Sequence, residues 1–139
     1  MTPVPKLSEV RVGRAIPGRS HTPTNVSLFL YNAAIWNPHR IHYDEKYTTE
    51  VERHPGVVID GPLQGDWLAQ VVTNWLGDDG SLLEFEYSNR KACFLGQTLV
   101  SGGEIESVDP ASGRVGLRLF VKDEAGDVTS PGSAVVRLD

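Results

Sequence analysis

The 139 residues suit one domain of ordinary size, and 40% hydrophobic against 22% charged side chains supports a packed core and excludes wholesale disorder. With 13 Lys and Arg against 18 Asp and Glu, the net charge of -5 argues against a nucleic-acid partner, which needs a basic face. A single cysteine, Cys93, excludes an intrachain disulfide, and no Cys/His spacing suggests a structural zinc site.

In chain order, residues 1–6 contain two prolines and are expected to form a mobile tail. Val10 and Val12 alternate within residues 7–16, a pattern for a short strand or extended lead-in. Residues 17–23 are a turn-rich connector. Thr24 or Asn25 can cap a helix running to Ala34, because their side chains accept free N–H groups of the first turn. Val26, Phe29, Leu30 and Ala33 recur at helical spacing and are expected to be its buried stripe.

Pro38 disfavours helix at Asn37. Asp44 then caps a short helix over 45–52, which His54-Pro55-Gly56 ends. An apolar run, Val57-Val58-Ile59, leads to Asp60-Gly61-Pro62, a helix-start signal, since proline is tolerated where the first N–H groups go unused. The helix over 63–76 carries Leu63, Trp67, Leu68, Val71, Val72 and Trp75 on a broad apolar face. Gly77-Asp78-Asp79-Gly80 stops it. Strand-like runs follow at 82–87, 91–95, 98–108, 113–122 and 128–138, with hairpin turns at 110–113 and 124–127. Cys93 is read as a buried core thiol in one of these strands. No apolar stretch approaches the roughly 18 residues needed to span a bilayer, and no leader pattern opens the chain, so a cytoplasmic location away from membranes is expected.

Helices grouped ahead of a run of strands indicate an α+β protein. An antiparallel sheet of five to six strands needs one face covered. The long apolar helix can cover it, and a central helix wrapped by a curved sheet is the hot-dog fold.

The segment Trp36-Asn37-Pro38-His39-Arg40-Ile41-His42-Tyr43-Asp44 is the densest cluster of chemically able side chains. Its Ile41-His42-Tyr43-Asp44 end resembles the motif of MaoC-like hydratases and (R)-specific enoyl-CoA hydratases, which runs Gly-Asp-x-Asn-Pro-hydrophobic-His-x-Asp. Together with Tyr47, Pro55-Gly56 and Gly61-Pro62-Leu63, the segment is most similar to a branch that includes mesaconyl-CoA hydratase-like proteins and mitochondrial-type 3-hydroxyacyl-thioester dehydratases. The resemblance covers nearly the whole chain. It implies that the 139 residues form a single hot-dog domain, that His42 and Asn37 are catalytic, and that Gly61 opens the helix whose N–H holds the thioester oxygen. Two departures stand out. The wider family has Asp where this chain has Asn37, and often has His where it has Asp60.

Adding water to an α,β-unsaturated thioester needs a base for the water, a proton for the α carbon and support for charge on the thioester oxygen. Histidine exchanges protons near neutral pH. A helix N-terminus offers free N–H groups and partial positive charge. Pro62 has no N–H, so the donor is Gly61 or Leu63. An amide cannot take up a proton as a carboxylate does, yet Asn37 can orient a water. Asp60 is either a carboxylate near the site or a helix-start residue complementing the dipole. Trp36 can line an acyl pocket or pack in the core. His39 and Arg40 can meet the phosphate of CoA or a carrier protein, or be structural. His21 and His54 are read as loop residues, and Tyr43 and Asp44 as structural. His39 and His42 lack a third ligand at sensible spacing, so no metal is expected; the reaction needs no cofactor.

The expected activity is an enoyl-thioester hydratase or 3-hydroxyacyl-thioester dehydratase acting on an acyl-CoA or acyl-carrier-protein substrate. Two other functions remain open. One is a pocket-shaping subunit of a heteromeric hydratase, suggested by Asn37. The other is a hot-dog thioesterase using Gln64 or Asp66 on the long helix. A homodimer or a heterodimer with a second hot-dog subunit is expected, because the sheet has an edge to pair.

Overall fold

A computed structural model describes residues 5–139. The tail expected over 1–6 therefore lies outside the described residues except for Pro5 and Lys6. The element order is a short 3-10 turn (Leu7–Glu9), β1 (Ala15–His21), α1 (Asn25–Ala34), a second 3-10 turn (Arg40–His42), α2 (Glu45–Glu50), α3 (Gly61–Leu76), β2 (Ser81–Tyr87), β3 (Leu99–Asp109), β4 (Arg114–Lys122) and β5 (Val128–Arg137). All five strands form one antiparallel sheet in the order β1-β3-β4-β5-β2.

Helix α3 touches every strand of that sheet. Its start follows from Pro62 in the first turn, and Gly77 ends it at φ 63°, a value that favours glycine. Leu68, Val71, Val72 and Leu76 face the sheet and are buried. They meet Leu99 and Ile105 of β3, Val115, Leu117, Leu119 and Val121 of β4, and Ala134 and Val136 of β5 in one core. The strand residues recur at alternate positions, as a sheet with one covered face requires. Each buried Leu, Ile or Val among them contributes about 1.5–3 kcal/mol. Gly65 lets the helix approach the sheet, since a Cβ there would collide with the Tyr87 ring.

Four expectations need correction. The connector over 17–23 is mostly strand: β1 runs through Pro17 to His21, and a register shift between Ile16 and Arg19 accommodates the proline. The 7–16 lead-in is a 3-10 turn and loop, of which only Ala15 and Ile16 enter that strand. The run over 91–95 is not a strand; it makes one isolated bridge, Val58 to Phe94. Cys93 is buried all the same. Finally, the apolar stripe of α1 points outward. Phe29 is 55% and Val26 68% exposed, whereas Leu28 and Asn32 are buried. At 100° per residue, Leu28 and Asn32 lie on the side of the helix opposite Val26, Leu30 and Ala33. Among the described residues no helix is long and apolar enough to cross a membrane.

Candidate active site

Helix α1 begins with a capping box in which Thr24 and Ser27 satisfy each other's backbone. It ends where Asn37 N–H reaches the Asn32 carbonyl (3.0 Å) and Trp36 N–H the Ala33 carbonyl (3.4 Å). This paired closure places Trp36 at a left-handed φ of 57°, a position that glycine usually fills. Trp36 is 91% exposed, so it is not a core residue. Together with Phe29, Asn32, Ala33, Asn37, Pro38 and Tyr43 it lines an open cavity of about 390 Å³.

The chain then folds on itself. Asn37 Oδ1 accepts from His39 N–H (3.1 Å), His39 Nδ1 accepts from Ile41 N–H (3.3 Å), and Tyr43 O–H donates to the Pro38 carbonyl (3.1 Å). Arg40 turns to the surface, where Nε and Nη2 both bind Asp44 and the guanidinium lies over the Tyr47 ring. Asp44 also caps α2 through Tyr47 N–H, which together with Arg40 holds its carboxyl below the usual range. The expected structural role of Asp44 is what the geometry shows.

These local bonds turn His42 inward, where it is buried. Its Nδ1 lies 2.7 Å from the Val58 carbonyl. A carbonyl only accepts, so Nδ1 carries a hydrogen, and in the neutral ring Nε2 holds the lone pair. The fit is reciprocal, because Val58 N–H donates to the Ile41 carbonyl at 2.8 Å. On its other side this segment is held by Ile59 N–H to the Cys93 carbonyl and Leu95 N–H to the Val57 carbonyl.

Two residues beyond Val58 stands Asp60, 0% exposed. It occupies the N-cap of α3, but its side chain makes no capping bond. Oδ1 accepts from Asn32 Nδ2 (3.0 Å), and Oδ2 lies 3.5 Å from His42 Nε2. Asp60 is therefore a partner of the histidine and not a simple helix-start residue. Burial raises its pKa. Asn32 also donates to the Leu28 carbonyl, and its Oδ1, like Asp60 Oδ2, has no hydrogen-bond partner.

The first turn of α3 adjoins this pair. Gly61 is packed against the Asn89 amide, and a Cβ there would collide with it. Behind it, buried Gln64 accepts from Thr129 (3.0 Å) and Ser130 (2.8 Å), and Ser130 also meets Asn89 Oδ1 (2.9 Å). Asp66 accepts from Tyr31 O–H at 2.8 Å. His21 is not a free loop residue: it ends β1, stacks on Trp67 with ring centres 4.0 Å apart, and meets Ser101 Oγ at 2.8 Å.

The structure thus joins His42, Asp60, Asn32 and the start of α3, with Trp36 and Asn37 on the adjoining cavity. Arg40 lies apart from them on Asp44. The sequence reading missed Asn32, the Val58 carbonyl and Asn89. Only Asn32 left a trace, as a polar residue one turn after Leu28.

A central helix cradled by a curved five-stranded antiparallel sheet is the hot-dog fold. The (R)-hydratase from A. caviae involved in PHA biosynthesis shares it, with a TM-score of 0.84 and 17% identity over 94% of this chain and 98% of that one. The family model for hydroxyacyl-thioester dehydratase type 2 matches residues 7–95, so the chain belongs to that family. A mitochondrial hydroxyacyl-thioester dehydratase type 2 from Schizosaccharomyces pombe is 40% identical over 52 residues, 36% of this chain and 17% of the relative. Mesaconyl-C(4)-CoA hydratase from Chloroflexus aurantiacus is 44% identical over 45 residues, 32% of this chain and 16% of the relative. Each match thus spans about a sixth of the curated relative's own length.

Proposed function

We propose that the chain is a lyase that reversibly adds water to a 2-enoyl thioester, with His42 Nε2 as the base. The observation that carries this is the bond from His42 Nδ1 to the Val58 carbonyl, which leaves Nε2 as the one lone pair of the ring. Nε2 sits beside the start of α3, whose Gly61 or Leu63 N–H is suited to the thioester oxygen as negative charge gathers on it. Asn37 has its carbonyl oxygen engaged by His39, so its NH2 group is what remains to orient water. The acyl chain fits the cavity beside Trp36, Phe29 and Tyr43. Arg40 has committed Nε and Nη2 to Asp44, leaving Nη1 for a phosphate of CoA or a carrier protein, with His39 nearby in sequence. The 139 residues act as one hot-dog unit, paired with a second copy or a second hot-dog subunit. The relatives named as hydroxyacyl-thioester dehydratase and mesaconyl-C(4)-CoA hydratase support this chemistry.

The test is a panel of 2-enoyl-CoA thioesters followed by mass spectrometry, with His42→Ala alongside. Gain of one water by the wild type and loss of at least roughly 100-fold in the variant is expected. Near-normal turnover by the variant would remove His42 from the mechanism.

A second reading, a pocket-shaping subunit, is favoured by Asn37, which brings an amide where a proton-accepting carboxylate is expected. Inactive protein that gains hydratase activity only with another hot-dog chain would establish it. The thioesterase reading is weakened because Gln64 and Asp66 are already engaged by Thr129, Ser130 and Tyr31.

A further inference from the structure

Asp60 Oδ2 is a fully buried acceptor with no hydrogen-bond partner, and it lies 3.5 Å from His42 Nε2. Its other oxygen is fixed by Asn32, which is itself anchored to the Leu28 carbonyl, so the carboxylate cannot turn away without breaking that bond. A buried unsatisfied acceptor is destabilising, and an ionised one more so. Such a cost in the resting state calls for a state in which it is recovered.

Resting on His42 as the base, we propose that Asp60 is a positioning residue that becomes paired only when Nε2 gains a proton, and so stabilises the intermediate of hydration over the resting site. In the step, water oxygen bonds to the β carbon while its O–H bond breaks and the proton moves to Nε2. The C=C electrons shift toward the thioester oxygen. Nε2–H now faces Asp60 Oδ2 as donor to acceptor. The enolate then takes a proton from Nε2 at the α carbon, returning His42 to its starting form. One water is added and no other reactant is consumed. An interaction made in the intermediate and absent at rest raises kcat and leaves ground-state binding alone. In this way Asp60 supplies, beside Nε2, negative charge that Asn37 lacks.

Among the described residues His42 is the titratable side chain in contact with Asp60. Tyr31 of α1 senses the Asp60 charge at longer range, and the His39 ring lies 5.9 Å from that of His42. Burial raises the Asp60 carboxyl, so the folded chain holds this proton more firmly than the unfolded chain. The stability so gained is full below the unfolded value, about 3.9, and is lost as pH rises through the raised one.

Asp60→Asn is nearly the same shape, keeps an oxygen for Asn32 and can donate an N–H to Nε2. It is expected to melt at or above the wild-type temperature at neutral pH, with the difference shrinking as pH falls. Its kcat falls roughly 100-fold with KM little changed, and the acidic limb of the kcat profile moves to lower pH, since no facing carboxylate favours a proton on Nε2. Wild-type kcat and an unmoved acidic limb in Asp60→Asn, with His42→Ala inactive, would overturn the role of Asp60 and leave His42 as base. If the wild type hydrates no thioester, the hydratase reading fails. The pair is then judged on melting alone: a difference that shrinks with falling pH supports it, and one that does not change with pH overturns it.

Discussion

At the scale of single residues, burial separates the four histidines. His21 is half-buried against Trp67 beside Arg19, and burial and that charge lower its pKa to about 4. Its neutral form thus supports the fold above the ordinary value of 6.5, and this support is lost as pH falls from there toward about 4. His21→Phe keeps the stacking and is expected to flatten the fall of melting temperature across that interval, as thermal scans at several pH values would show. His42 was legible in the sequence because its neighbours match a motif. What orients it was not, since the Val58 carbonyl is backbone and any residue there supplies one. The approach of Asp60 was equally hidden, because the two side chains lie far apart in the sequence and only the fold brings them together.

Among the elements, α3 was legible because composition, start and stop signals agree. So were β2 to β5, whose turns carry Gly, Pro and Asp, with the alternation of a sheet covered on one face clearest in β4. Helix α1 was legible in extent but reversed in orientation, because periodicity gives the direction of an apolar stripe and not what lies beneath it. The 91–95 segment failed for another reason: its residues are strand-like, but after Lys91 N–H bonds the Thr129 carbonyl the chain leaves the sheet and its backbone meets Val57–Ile59. The end of α1 carries its own cost. Trp36 in a left-handed conformation is disfavoured by about 1–2 kcal/mol relative to glycine. Trp36→Gly is therefore expected to leave stability unchanged or raise it by about 1 kcal/mol in denaturant unfolding, while KM for longer acyl thioesters rises because the cavity loses an aromatic wall. A large loss of stability would show instead that the indole holds the loop.

For the molecule as a whole, the outward stripe of Val26, Phe29 and Leu30 and the free edges of β1 and β2 leave apolar surface and strand edges on view. Soluble monomers rarely leave such surfaces uncovered. Light scattering at micromolar concentration is expected to give at least twice the 15.2 kDa of the chain, and a monomer would contradict the expected dimer. Addition of water to the β carbon of an enoyl thioester is the activity proposed for this molecule. Incubation of the wild-type protein with a 2-enoyl-CoA in heavy-oxygen water, followed by mass spectrometry of the product, tests it most directly. The label is expected in the β-hydroxyl of an intact 3-hydroxyacyl-CoA. Label in a free carboxylate, with free CoA released, would contradict it and make the protein a thioesterase.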